Sequence, residues 1–597
     1  MLANRLVVAL DYGTTYTGVA FCETSDTGVL EKHIDVVKDW PSRHTKIGTK
    51  EKVPSEIAYL PEGTQWGSLI APNVQRHMWT KLELDSAQIG EAAKIVRELS
   101  LNNQGPDKKA VDIVADFLAH VKDHLIQNLD NRYGKELWKT LPITLVVTVP
   151  AVWSDAAKDR TLKAVRKAGF DTTEFPKLKR TITTTEPEAA AIHTIQSLRG
   201  SVSDEQFAIG DGFIVCDMGG GTVDLISYRV AELEPTILEE ATVGIGEQCG
   251  GSFVDRGFLR WLERRLGTAD FIKIAGERSE DLPRTSLSSK LGRMAQDFVM
   301  EAKSGFSGEE TNFLRLPTPL SAIEEDEARG ICDGEIEITR DDMKEMFEMP
   351  LRNTYELLLQ QMQQARKSGN TQMKYIFMVG GFAESPYMYK KIQTFAEANG
   401  LQAIRPPNAW SAIVRGAVAK GLEGDGRAPI KNRKCRRNYG TDCCCKFIAG
   451  VHKATDAFID SYTGIKSAEN QMNWLVTKGQ DLSTSDKAYS KVSFTQTFWP
   501  GEERTASVDL IASDAETAPK RSVEKVRLSS KNDVYTVATL KVDLSDVPQH
   551  LFKYHINPAG KEYYVLRFDV KIAIQSSLEF SLVVNGKEYG SVVAKYA

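Results

Sequence analysis

Asp217-Met218-Gly219-Gly220-Gly221-Thr222-Val223-Asp224 places two carboxylates and a hydroxyl around three consecutive glycines. Carboxylate and hydroxyl oxygens are hard donors that suit Mg²⁺, directly or through its waters. Glycine amides, lacking Cβ atoms, can converge on phosphate oxygens as an anion nest. A second stretch, Asp11-Tyr12-Gly13-Thr14-Thr15-Tyr16-Thr17, has the same plan. Superposing Asp11-x-Gly13 on Asp217-x-Gly219 gives an internal repeat roughly 200 residues apart, far beyond a solenoid period. One glycine turn alone is most often just a turn. Two copies predict two similar lobes with a nucleotide clamped between them.

The surrounding elements must position these groups. Leu6–Leu10 leads into the first motif and Phe213–Cys216 into the second, and strand-like runs follow both, so each reads as a hairpin. Ile143–Val149 reads as a buried strand, and Ser154 caps a helix running through Lys167. Thr185-Glu186-Pro187-Glu188 is a loop-to-helix junction with proline in the first turn. Glu186 there either positions a water or simply favours the helix dipole. Gly250-Gly251 opens a helix from Ser252 to Leu266, where backbone can approach a ligand closely. Tyr375–Val379 meets Gly380-Gly381, then Ser385 as N-cap and Pro386 as first helical residue, another place where amides can reach a nucleotide. Further helices are expected over Lys109–Leu129, Thr285–Lys303, Arg340–Ala365 and Trp410–Leu422. Lys81, in His77-Met-Trp-Thr-Lys81, is a candidate active-site lysine, although that residue type is usually a solvated surface charge.

A chain of 597 residues exceeds one hydrophobic core. We divide it into lobe I at 1–200 (insertion at about 40–115), lobe II at 201–380, a return to lobe I and the cleft at 381–424, a linker at 425–440 and a β-rich domain at 441–597. In that last part, Tyr489–Phe498, Thr505–Ala512, Tyr535–Val542, Tyr563–Ile574 and Leu578–Val584 read as strands, with Asn585-Gly586 as a hairpin turn. Their even spacing favours a β-sandwich. The net charge of −5 argues against nucleic acid or an anionic membrane as partner. No apolar run approaches the roughly 20 residues that span a bilayer. Eight cysteines in so long a chain form no disulfide framework, and Leu6–Leu10 runs straight into a polar motif rather than a signal peptide, so the cytosol is expected. The basic run Lys431–Arg437 leaves the nucleus open but reads mainly as solvated linker. Cys443-Cys444-Cys445, with Cys435 and His452 nearby, invites a zinc reading. Adjacent cysteines do not readily converge on one ion and no C-x₂-C pair exists, so they read as strand residues.

Taken in order, the motifs resemble the heat-shock protein 70 family of the actin/hexokinase ATPase superfamily. The resemblance rests on Asp11–Thr17, Val147-Thr-Val-Pro-Ala151, Glu186-Pro-Glu-Ala-Ala-Ala, Asp217–Asp224 and Val379-Gly-Gly-Phe-Ala-Glu-Ser-Pro386, and covers roughly residues 5–422. The Trp79-Thr-Lys-Leu82 and Phe382-Ala-Glu-Ser-Pro386 segments look more like its divergent type 12 branch. The resemblance implies an α/β fold of two RNase H-like lobes followed by the β-rich domain, with ATP/ADP and Mg²⁺ as ligands. On that reading Asp11 and Asp217 hold Mg²⁺ mostly through water. Gly13, Thr14, Thr15, Tyr16, Gly219, Gly220, Gly221 and Thr222 cradle phosphates. Gly250, Gly251, Lys303, Ser307, Gly380 and Gly381 complete the nucleotide site. Glu186 and Asp224 order metal waters and the attacking water, Thr222 counts as catalytic besides cradling phosphate, and Lys81 sits beside the γ-phosphate. A slow ATPase is implied, with peptide or protein clients and cochaperones as partners. Ser304, Glu384 and Trp410 stand where the main branch carries arginine, arginine and an acidic residue, which leaves the base specificity open. Two alternatives stay open. A sugar or polyol kinase on this fold would need a carboxylate base beside the substrate hydroxyl, which no motif supplies. A pseudo-ATPase adaptor would bind nucleotide without turning it over.

Overall fold

The computed structural model describes residues 4–24, 34–43, 50–85, 90, 93–95, 97–98, 108–198, 208–233, 236–367, 372–422, 430–483, 490–522, 534–574 and 578–596. The chain forms two compact units, Met1–Trp153 with Arg160–Pro429, and Ile430–Ala597 with the short stretch Ser154–Asp159.

The first unit contains the repeat. Strand β1 (Leu6–Tyr12) pairs antiparallel with β2 (Tyr16–Glu23) and parallel with β3 (Ile143–Val149), and β4 (Leu178–Thr185) lies parallel to β3. Every residue of β1 and β3 is buried. That explains why both read as unbroken apolar runs: strands covered on both faces lose the apolar–polar alternation. The second lobe repeats this order. Strand β5 (Asp211–Met218) pairs antiparallel with β6 (Val223–Leu233) and parallel with β8 (Gln372–Val379), while β7 (Thr236–Glu240) edges β6 and β9 (Gln402–Ile404) lies parallel to β8. The sequence repeat is therefore a repeat of topology, a hairpin followed by two parallel strands. Its register matters for chemistry. Asp11 lies opposite Gly18 on β2, whereas Asp217 lies opposite Asp224 on β6.

Several helices differ from expectation. The helix read as Thr285–Lys303 begins at Ser289, where Ser288 Oγ accepts from Leu291 N at 3.1 Å. Thr285 is held outside it because its amide donates to Glu98 at 3.1 Å. From Phe298 to Lys303 the chain widens into a π-helical turn. Residues 381–404 do not leave lobe II, since β9 extends its sheet beside β8. The return to lobe I is made by the helix Ala412–Leu422, which packs on the helix Glu186–Leu198 and on β1 and β3.

In the second unit, Ser154–Asp159 opens the helix Asp155–Lys167, and the described residues from Ile430 onward are β apart from short helical turns. Its strands are β10 (Ile430–Lys434), β11 (Asn438–Lys446), β12 (Ala457–Ile459), β13 (Lys466–Val476), β14 (Asp481–Ser483), β15 (Ser490–Phe498), β16 (Thr505–Ser513), β17 (Val534–Asp543), β18 (Lys553–Ile556), β19 (Glu562–Ile574), β20 (Leu578–Val584) and β21 (Lys587–Tyr596). Pairing runs β12-β13-β11-β16-β17-β21-β20-β19-β15, with β18 on β19 and β10 on β14. Leu510, Leu540, Phe568, Val570 and Leu582 form its core. Asn585 and Gly586 take φ of 50° and 81°, the left-handed pair that a two-residue hairpin turn requires. Of the segment read as linker, 425–429 falls outside the described residues, while Ile430–Lys434 is strand rather than linker because it pairs with Asp481–Ser483. Strand β13 escaped the sequence reading: Lys466–Val476 is largely polar and mostly half-exposed, so no alternation marks it. Cys443, Cys444 and Cys445 lie in β11, with a register slip between the first and third. Cys445 Sγ lies 3.6 Å from His452 Nε2, yet no His/Cys/Asp/Glu triad among the described residues is arranged to hold a metal.

Candidate functional site

The two hairpin turns face each other at the bottom of a cavity of about 560 Å³. A Cβ on Gly220 would stand 2.4 Å from Thr15 Oγ1, and one on Gly221 would stand 2.9 Å from Thr14 Cγ2. Only glycine lets the loops of the two lobes approach this closely. Helix Ser252–Leu266 fixes the second loop from behind: Gly250 N donates to Gly221 O at 3.2 Å, Gly251 N to Gly219 O at 3.1 Å and Ser252 N to Gly220 O at 2.8 Å. With its carbonyls engaged on that side, the loop offers amides to an anion. Gly380, at φ 89°, closes the floor; a Cβ there would lie 2.6 Å from Asp217 Oδ1.

Four carboxylates, Asp11, Glu186, Asp217 and Asp224, gather with two ammonium groups, Lys52 and Lys81, around this floor. Lys81 and Glu186 form a buried ion pair. Asp11 Oδ2 accepts from Lys52 Nζ at 2.6 Å, and Asp11 Oδ1 accepts from Thr148 Oγ1 at 2.8 Å. Burial alone would raise Asp11, but Lys52 and Lys81 outweigh it and hold the carboxyl below its ordinary value. Burial, with Glu186 and Asp224 beside it, pushes Asp217 up to about 8. Burial raises Asp224 as well, opposed by a hydrogen bond from Thr222. Glu186 is lifted to about 7 by burial against the pull of Lys81. Burial would depress Lys81, but Glu186, Asp11 and Asp224 hold it above its ordinary value. Burial raises the carboxyls of Glu186, Asp217 and Asp224, and neighbouring acids add to the shift of Glu186 and Asp217; a cation placed among them would relieve that cost. No three His, Cys, Asp or Glu side chains among the described residues converge to ligate an ion directly. Asp11 and Asp217 line the cavity, and their carboxylate oxygens are hard donors of the kind that suit a hydrated Mg²⁺.

The sequence-derived residues largely share this place. Asp11, Gly13, Thr14, Thr15, Tyr16, Lys81, Glu186, Asp217, Gly219–Thr222, Gly251, Lys303, Gly380 and Gly381 line the cavity. Asp224 lines an adjoining cavity of about 460 Å³ that shares Thr14, Lys81, Glu186 and Thr222. Gly250 lies behind the loop, as its hydrogen bond shows. Ser307 is not among the residues that line this cavity, and its amide donates to Glu310 at 2.7 Å. Ser304 lines the cavity instead. Lys303 is anchored by Asp255 at 2.6 Å and by Gly251 O at 2.7 Å. At this upper end Trp410 meets Tyr16 edge-on, ring centroids 5.8 Å apart.

Two residues that line the cavity had no signal in the sequence. Lys52 lies 41 positions from its partner Asp11, in a region without a motif. Trp79 lines the cavity in a left-handed conformation, φ 58° and ψ 19°, with its ring 6.2 Å from that of Phe253 on the opposite lobe. It is 5% exposed, and its indole Nε1 has no hydrogen-bond partner among the described residues. The left-handed Trp79 lies two residues before the candidate lysine, and that conformation is invisible without coordinates.

Comparison with known proteins places this geometry in a family. The Hsp70 protein family model matches residues 71–427, and a domain of unknown function (DUF8568) matches residues 435–597. Human heat shock 70 kDa protein 12A is 24% identical over 526 residues, covering 75% of this chain and 73% of that protein. Human heat shock 70 kDa protein 12B is 23% identical over 519 residues, covering 75% and 72%. The chaperone protein DnaK of Metamycoplasma hominis is 23% identical over 422 residues, covering 70% and 60%. The resemblance carried by the sequence motifs is thus borne out, including its lean toward the type 12 proteins. With its paired hairpins, its two like lobes and a match over more than half its length, the chain belongs to the Hsp70 family.

Proposed function

We propose that the protein binds ATP with Mg²⁺ in the cleft between its lobes, hydrolyses it slowly, and uses the nucleotide state to govern what its β-rich unit binds. The observation that carries this reading is the contact of the Gly220–Gly221 turn with Thr14 and Thr15 beneath a cavity ringed by carboxylates. Asp11 and Asp217 would hold the metal's waters, and Thr14, Thr15 and Gly219–Thr222 would contact the phosphates. Mg²⁺ supplies charge neutralisation at the phosphates. Lys81 stabilises charge on the terminal phosphate, while Glu186 and Asp224 accept hydrogen bonds from the attacking water. Phosphoryl transfer asks little more than positioning and electrostatics, which such a set provides. The upper end, with Trp410, Met300 and Lys303, would take the base and ribose. We read Ile430–Ala597 as a sandwich-like unit that takes peptide or protein partners, supported by the chaperone and heat-shock names of the relatives.

Isothermal titration of ATP and ADP with Mg²⁺, followed by phosphate-release measurement, tests the first half. Binding that Asp217→Asn weakens, with slow release of phosphate, supports an ATPase. Binding without release leaves a nucleotide-binding adaptor, and no binding overturns the reading. Titration of an unfolded client protein with and without ATP tests the second half; equal affinities would exclude coupling.

A further inference from the structure

The two lobes share topology but differ at one position of their hairpins. Opposite Asp217 stands Asp224; opposite Asp11 stands Gly18. A Cβ on Gly18 would lie 3.3 Å from both Cγ and Cε of Lys52, so the glycine makes room for the lysine stem. Lys52 leads into the short strand Val53–Pro54, which pairs with the start of β2 at Tyr16 and Thr17. Its side chain is 7% exposed and that of Asp11 3%. Where the second lobe carries a second carboxylate, the first therefore carries an ammonium. That ammonium lines the cavity beside the phosphate turns, and its charge also reaches Asp217. Both oxygens of Asp11 are engaged, one by Lys52 and the other by Thr148.

Building on the nucleotide reading above, we propose that Lys52 is a built-in counter-cation of the phosphate site, supplying positive charge that would otherwise come from a divalent ion. A buried lysine in contact with Asp11 cancels the repulsion between that carboxylate and an incoming phosphate. It also weakens the pull of Asp11 on a hydrated metal, because one negative charge is already matched. The nucleotide site is then only weakly dependent on Mg²⁺. Lys52 is a binding and positioning residue on this account, and affinity is the property that reports it.

The test is the dissociation constant of ADP, by calorimetry on the full chain, in Mg²⁺ and in excess EDTA. The wild-type protein is expected to differ by less than about tenfold between the two conditions. Lys52→Met is expected to lose at least about tenfold in EDTA and to recover much of it in Mg²⁺, with Lys52→Arg closer to wild type. A wild-type dependence on Mg²⁺ beyond about a hundredfold overturns the proposal without any variant, which guards against a methionine variant that fails to fold. So does a Lys52→Met protein whose ratio of affinities equals that of wild type. In both cases the nucleotide reading survives. Absence of binding in either condition would remove that reading, and this inference with it.

Discussion

Lys81 and Glu186 join the single helical turn Thr80–Glu83 to the first residue of the helix Glu186–Leu198, through an ion pair with both side chains buried. Lys81 Nζ also lies 5.7 Å from the ring of Trp153, a second partner for its charge. The pair fixes the cavity wall at the place where the two adjoining cavities meet.

Lys81→Met strands Glu186 as a buried, uncompensated carboxylate, at a cost of about 3–5 kcal/mol in urea unfolding. The cost is smaller at pH 6 than at pH 8, because burial already lifts Glu186 to about 7 and a proton then replaces the lost partner. Adding Glu186→Gln should restore most of the stability but none of the phosphate release. Equal losses in the single and double variants would show that the pair is not coupled.

Gly220→Ala places a methyl group 2.4 Å from Thr15 Oγ1 in the present geometry, which forces the hairpin turns apart. Nucleotide affinity should fall by more than about tenfold, while the melting temperature moves little, because the core of each lobe is untouched. Unchanged ATP affinity in calorimetry would mean that the two turns do not act together on one ligand.

Trp79 offers a reporter. Its buried indole N–H lacks a partner among the described residues, and its ring packs toward Phe253 across the cleft. A nucleotide that moves the lobes should shift the tryptophan emission of the wild-type protein. Trp79→Phe should remove most of that shift and weaken ADP binding a few-fold. An identical emission change in the variant would assign the signal to another tryptophan and remove Trp79 from the site.

His193 sets an acid limit. Burial lowers it to about 4, and its Nε2 lies 3.0 Å from Pro407 O, which calls for a neutral ring donating that hydrogen. A folded value below the unfolded one means that the unfolded chain takes up the proton first. Stability from the neutral ring is therefore complete above about pH 6.5 and lost as the pH falls toward 4. The loss is about 3 kcal/mol. Melting curves between pH 7 and 4 should fall less steeply for His193→Gln, and parallel curves would refute the assignment.

Local chemistry made much of this protein legible in its sequence. The Asp11 and Asp217 hairpins, the Glu186 junction and the Gly380 turn each combine strand, glycine and acid within a few residues, and they land around one cavity. Strands β1, β3 and β5 were equally plain, since burial on both faces leaves an unbroken apolar run. The rest depended on partners distant in the chain. No spacing rule links Lys52 to Asp11, because the pairing arises from the short strand beside β2 and the space above Gly18. Ser304, at the end of the π-helical turn Phe298–Lys303, lines the cavity and Ser307 does not, a difference that no local pattern marked. Strand β13 exists through its neighbours β11 and β12 rather than through any pattern of its own. Which residues could meet phosphate was written in sequence. How their charges balance, with Lys52 matched to one aspartate and Asp224 facing the other, was decided by tertiary packing, because electrostatic energy depends on distances that only the folded chain sets.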